Sequence, residues 1–101
     1  MVLKTETIQE LGDAYTLSHP VRASIVKHLR KEKGYSRKIA RDLGLSDRLV
    51  GFHLSILSKG GFVSSEYALS NPAKNPSRVV RYYSLTDKVN VTLKKFAADL
   101  T

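Results

Sequence analysis

The chain has no cysteine among its 101 residues, which excludes disulfides, thiolate metal sites and cysteine nucleophiles and leaves the redox compartment open. Long apolar runs are missing too, since nothing approaches the roughly 20 residues needed to cross a bilayer. The opening stretch MVLKTETIQE lacks the charged start and apolar core of a secretory signal. Internal repeats and low-complexity tracts are also absent. The expectation is a soluble cytoplasmic protein folded as one small domain over 1–101, with a single modest core that a partner subunit would help to complete. Acids are scarce, nine against seventeen Lys and Arg, for a formal net charge of +8. Such a balance attracts polyanions, so nucleic acid is the first partner to expect and an anionic membrane surface the second. The three histidines are scattered, and neither a nucleophile motif nor a phosphate-cradling glycine loop is visible. An enzyme is therefore not expected, nor is a cofactor.

The positive charge is localised. Met1 to Ser18 carries one base against three acids, His19 to Leu45 eight against two, and Ser46 to Glu66 is balanced. Tyr67 to Leu85 has three bases and no acid. Two basic regions thus flank a nearly neutral one.

Apolar spacing supplies the elements. Ile8, Leu11 and Tyr15 share one face of a predicted helix over 5–17. His19 and Pro20 offer a helix start. The helix that follows runs to about Glu32 with Val21, Ile25 and Leu29 inward, and Arg22, Lys27, Arg30 and Lys31 on other faces. Gly34 can end it in a left-handed conformation. Ser36 reads as the N-cap of a short third helix with Ile39, Ala40 and Leu43, which Gly44 stops. Ser46 reads as the N-cap of a fourth, closed after Lys59 by Gly60 and Gly61. Two helices about the tight turn Leu43 to Ser46 form a helix-turn-helix pattern, whose second helix normally enters the major groove. Phe62 to Leu69 and Val79 to Leu85 then read as a β-hairpin with a long polar tip. Thr86 or Asp87 can cap a last helix over 87–100, with Val89, Leu93, Phe96, Ala97 and Leu100 on one face. The fold class is mainly α with a small β-hairpin: a winged helix-turn-helix of four helices, two strands and a fifth helix.

Three segments carry a resemblance. They are TLSHPVRASIVKHL at Thr16 to Leu29, with its Ser-X-Pro-X-Arg start, IARDLGLSDRLVGFHLSILSKGGFV at Ile39 to Val63, and RYYSLT at Arg81 to Thr86. In this order and spacing they resemble the ArsR-type winged-helix transcriptional repressors, over nearly the whole chain. The resemblance implies DNA binding and dimerisation. The metal sites of the family's sensing members are not implied, because the third helix reads RKIARDLG without cysteines and the last helix has no histidine.

At about 100° per residue, Val50, His53, Leu54 and Leu57 of the fourth helix face inward. Arg48, Phe52, Ser55 and Lys59 face outward, with Ser46 and Asp47 near the N-terminal end. Arg48 suits a guanine edge or a phosphate, and Ser46 and Ser55 can donate to phosphate or base. Asp47 reads as helix-stabilising, and His53 as a packed, hydrogen-bonded residue and not a metal ligand. Gly51 and Phe52 depart from the small-polar and basic residues common at these places in the resembling family. Phe52 can touch a thymine methyl group, or pack with Leu49 and Ile56 on the wing or another subunit. Arg37, Lys38 and Arg41 lie where the first helix of such a motif crosses phosphates. Lys74, Arg78 and Arg81 can reach the adjacent minor groove, although alternation with Tyr83 and Leu85 aims Arg81 inward unless it lies beyond the core.

Helices 5–17 and 87–100 are expected to form a two-fold dimer interface through Ile8, Leu11, Tyr15, Val89, Leu93, Phe96 and Leu100. The expected function is that of a dimeric, sequence-specific double-stranded DNA-binding transcriptional regulator. It would be a nucleoid-associated repressor on a roughly palindromic site, with no membrane partner. The alternatives are an architectural low-specificity DNA binder and a winged-helix protein-interaction module docking through Leu49, Phe52 and Ile56.

Overall fold

In the computed structural model, which describes residues 5–69 and 78–100, α1 (Thr5–Ser18) passes into α2 (Pro20–Lys31) with only His19 between them. Proline has no N–H to lose in a first helical turn, and the ring of His19 accepts from the Val21 N–H at 3.2 Å to complete the start. α3 (Ser36–Leu43) and α4 (Asp47–Lys59) follow, joined by the three residues Gly44 to Ser46. Gly44 takes φ 69°, the left-handed conformation that lets its N–H reach back to the carbonyl of Arg41. Ser46 then caps α4 by accepting from the Leu49 N–H at 3.1 Å.

β1 (Val63–Leu69) and β2 (Val79–Leu85) pair antiparallel in a register that runs from Val63 opposite Leu85 to Leu69 opposite Val79. α5 (Lys88–Leu100) closes the described chain and packs along α1. Four helices, a hairpin and a fifth helix make the winged helix-turn-helix that the apolar pattern predicts.

Two local expectations give way to other solutions. Gly34 does not take a positive φ. It is buried, and exchanges two backbone hydrogen bonds with Tyr83, at 3.2 and 2.7 Å, so that the α2–α3 connection adds an isolated rung beside β2. A Cβ there would stand 3.3 Å from Ile39 Cγ1, so close packing is what favours glycine. Ser36 is not the cap of α3 either. Tyr35 holds that position without a side-chain hydrogen bond, and the Ser36 hydroxyl, one residue inside the helix, donates to Asp47 Oδ1 at 2.5 Å. The hydroxyl thus ties the starts of α3 and α4 together.

The core gathers one face from every helix. Ile25, Ile39, Val50, Leu54, Leu57, Phe62 and Val89 are essentially inaccessible, and Leu17, Val26, Leu29, Ala40 and Val63 complete the cluster. Each large side chain of this kind contributes about 1.5–3 kcal/mol by leaving water. α4 supplies three of the seven most buried residues, so its inner face is fixed and its outer face is presented rigidly. Gly44→Ala is expected to cost about 1 kcal/mol, because a β-carbon is strained in the left-handed region. Urea denaturation would read this as a lower midpoint at unchanged slope, and an alanine variant as stable as the parent would contradict a fixed turn.

Candidate nucleic-acid interface

α4 divides along its length. Val50, His53, Leu54 and Leu57 are buried, while Arg48, Phe52, Ser55 and Lys59 are exposed on the opposite side and Ser46 is exposed at the N-terminal end. Asp47 in the first turn meets the positive end of the helix and also accepts from Ser36. Its negative charge is therefore engaged at the junction of the two helices. Phe52 is 61% exposed, whereas Leu49 beside it is 37% exposed and Ile56 is half-buried.

Beneath this surface lies a polar cluster. Arg22 of α2 is 7% exposed. Its Nε donates to the carbonyl of Thr16 at 2.6 Å, and its NH1 lies 3.2 Å from His53 Nδ1. A guanidinium only donates, so Nδ1 is the acceptor and the His53 proton sits on Nε2. Thr16 is in the last turn of α1, where carbonyls lack helical partners and a cation is favoured. The His19 ring lies tilted against His53 at 4.5 Å between centroids, and Phe52 meets the His53 ring edge-on at 5.2 Å. Burial first, then the electrostatic influence of the neighbouring His19 and Arg22, holds the His53 imidazole below its ordinary pKa of 6.5.

His53 is buried as its place on the helix predicts, whereas Arg22, expected on another face of α2, is buried as well. The signal was present: Arg22, Val26 and Leu29 share a face at i, i+4 and i+7, and the last two are buried. Arg22 is the polar member of that inner face.

The bases of α3 are less free than their number suggests. Lys38 is half-buried and ion-paired with Glu32, and each holds the other in its charged form: Lys38 is raised and Glu32 lowered from ordinary values. Arg41 is exposed, with Asp42 at 3.9 Å, and Asp42 is itself pulled below the usual carboxylate range by a hydrogen bond from His28 Nε2 at 2.9 Å. Arg37 is exposed and forms no ion pair among the described residues. Of the three bases expected to meet phosphates, Lys38 is thus already engaged by an acid.

In the wing, Arg81 lies on the same face as Tyr83 and Leu85 yet beyond the core. It is exposed, donates to Ser65 Oγ at 2.8 Å and rests against the rings of Tyr67 and Tyr83. Arg78 is exposed at the start of the returning strand, and Lys74 lies outside the described residues. Tyr82 meets Tyr35 edge-on at 5.6 Å, which fixes the hairpin against the start of α3. Among the described residues, no three His, Asp or Glu side chains come together as a metal-binding group, and no helix is long and apolar enough to cross a membrane.

Residues 17–66, which span α2, α3 and α4, match the family described as a helix-turn-helix domain. This stretch is similar to a helix-turn-helix domain, and the fold of the chain is that of winged helix-turn-helix proteins. No curated protein sequence matches it, and its relatives are seen in solved structures. NolR from Sinorhizobium fredii is 24% identical with a TM-score of 0.65, covering 97% of this chain and 91% of its own. The transcriptional repressor BigR from Xylella fastidiosa is 22% identical with a TM-score of 0.65, covering 95% and 91%. An ArsR-family transcriptional regulator, RHA00566, is 15% identical with a TM-score of 0.68, covering 99% and 92%. At these identities the likeness is one of fold.

In this winged helix-turn-helix protein the terminal helices carry a second exposed surface. Ile8, Leu11 and Tyr15 of α1 and Leu93 and Phe96 of α5 are exposed, as is Val91. Val89 is the correction: it is 1% exposed and belongs to the protomer's own core, because it enters on the first turn of α5 beside Leu17 of α1 and Val26 of α2. The side chain of Leu100 lies outside the described residues.

A histidine kept neutral in the fold makes stability depend on pH. The unfolded chain binds the His53 proton near pH 6.5 and the folded chain only at lower pH. The contribution is therefore complete above about pH 6.5 and is lost as pH falls through the lowered folded value. His53→Gln, whose amide oxygen can accept from Arg22 without titrating, is expected to flatten the fall in melting temperature between about pH 6.5 and 5. An unchanged slope would assign that acid sensitivity to other groups.

Proposed function

We propose that this protein is a dimeric, sequence-specific double-stranded DNA-binding transcriptional regulator, acting as a repressor that occludes a promoter. The division of α4 carries the reading: a buried scaffold face opposes an exposed row of Arg48, Phe52, Ser55 and Lys59 on the second helix of a helix-turn-helix. That helix is the one such motifs insert in the major groove.

In this mechanism the whole chain, 1–101, acts as one DNA-binding domain. Arg37 and Arg41 with Lys38 dock α3 on phosphates, and Ser46 at the α4 N-terminus adds an anion-favouring end. Lys74, Arg78 and Arg81 carry the wing toward the minor groove. Arg48, Phe52 and Ser55 meet base edges, and Lys59 follows the backbone. Charge attracts the duplex without selecting sequence, while the outer row of α4 selects.

The dimer is inferred from the apolar surface of α1 and α5, which a lone protomer would leave in water. A 230 Å³ cleft lined by Leu17, Ala23, Val26, Val89 and Leu93, with Lys27 and Arg30 at its edge, offers a seat for apolar side chains of a second copy. Two-fold pairing would set two α4 helices about 34 Å apart, one turn of duplex, and favour a palindromic site.

Selection from a random duplex pool is expected to return a palindrome bound far more tightly than random duplex at one salt concentration. A ratio near one would favour an architectural binder, and no DNA binding at all would favour a protein-interaction module. Arg37→Ala should weaken all duplexes similarly and reduce the salt slope by about 1; a loss that depends strongly on sequence would contradict a phosphate role. Leu93→Glu should leave circular dichroism unchanged and give a monomer in sedimentation, whereas a persisting dimer would put the interface elsewhere.

A further inference from the structure

Phe52 stands in the middle of the outer row of α4. Arg48, Phe52, Ser55 and Lys59 lie within about 60° of one another around the helix at 100° per residue. From Arg48 to Ser55 they span about 10 Å along its axis at 1.5 Å per residue, a length of about three base steps at 3.4 Å. The two polar residues therefore bracket an aromatic one along the path of successive bases.

The ring is held at its base. It meets His53 edge-on at 5.2 Å, and His53 is buried, backed by His19 at 4.5 Å and by the Arg22 guanidinium at 3.2 Å. A side chain that is 61% exposed but set on a rigid polar cluster loses little freedom on binding, which favours a fixed contact. The surroundings suit DNA: Arg48 and Lys59 on the same face are basic, and Asp47 at the start of the same helix accepts a hydrogen bond from Ser36.

Base edges in the major groove differ in what an aromatic ring can accept. Adenine, guanine and cytosine present donors and acceptors there, and thymine alone presents a methyl group. A phenylalanine pressed on the first three strips water from polar groups it cannot partner, while against the methyl it buries apolar surface on both sides. We propose that Phe52 reads the 5-methyl group of a thymine lying between the bases approached by Arg48 and Ser55. This assignment rests on the DNA-binding reading and names the chemistry at its centre.

The test removes the methyl group and nothing else. Duplexes selected by the parent protein from a random pool are remade with each thymine replaced singly by deoxyuridine, and affinities are measured at one salt concentration. One position in each half-site is expected to lose about fourfold in affinity, the worth of one buried methyl group. In Phe52→Ala that difference should vanish, while Phe52→Leu, still apolar, keeps part of it. Because the side chain is exposed, both variants should retain the parent melting profile. Equal affinity for thymine and uracil at every position, or a difference that survives in Phe52→Ala, overturns the assignment and leaves DNA binding standing. Failure of the parent to select any duplex overturns both.

Discussion

A guanidinium buried without a carboxylate is costly unless its N–H groups find acceptors and its charge finds a dipole. Arg22 has no ion pair among the described residues, and the fold answers with the carbonyl of Thr16 at the C-terminal end of α1 and the lone pair of His53 on α4. The first acceptor belongs to the negative end of a helix dipole, and the second exists only while the imidazole is neutral. Three helices are joined through one side chain, so the start of α2, the end of α1 and the middle of α4 cannot shift independently. The orientation of Phe52, resting on His53, follows from the same constraint.

Because α1 also carries the exposed apolar side chains Ile8, Leu11 and Tyr15, this contact links two regions with different tasks. α1 is held to α5 by Lys88 with Asp13 at 3.5 Å and by Lys95 with Glu10 at 3.8 Å, and to the core by Leu17. The Lys95–Glu10 pair is exposed and contributes little, at most about 1 kcal/mol, and the Lys88–Asp13 pair is only partly shielded from water. The buried Arg22 contact and Leu17 are therefore the firm anchors of α1 within its own protomer, and both lie at its C-terminal end.

The apolar period made most of the architecture legible in the sequence, because helices and strands must bury one face and the turn residues mark their limits. Gly44 and Ser46 define the turn between α3 and α4 by mechanisms local to a few residues, and both could be read directly. What could not be read depends on contacts between segments. Gly34 is glycine because of Ile39 and Tyr83, and Ser36 turns to Asp47 eleven residues away. Arg22 is buried because two acceptors from α1 and α4 wait for it. Local rules offered each of these residues a cheaper role, as a cap or a solvated charge, and tertiary packing overrode them. The exposed row Arg48, Phe52, Ser55 and Lys59 was legible for the opposite reason: exposure is what remains when the inner face of one helix is fully assigned.

Net charge, the most visible property of the sequence, is a poorer guide to the surface than the pairing of charges. Lys38 faces Glu32, Lys33 faces Glu66 and Asp42 faces His28, so several bases and acids spend part of their field on one another. The Lys33–Glu66 pair is exposed enough to exchange partners at small cost, and a phosphate approaching α3 can compete with Glu32 for Lys38. Arg37 and Arg48 need no such exchange among the described residues. A polyanion would therefore meet a graded surface, where unpaired arginines act first and paired lysines are recruited on contact. The graded arrangement lets a protein with net charge +8 keep its own fold free of strong self-repulsion while retaining a basic face for its partner.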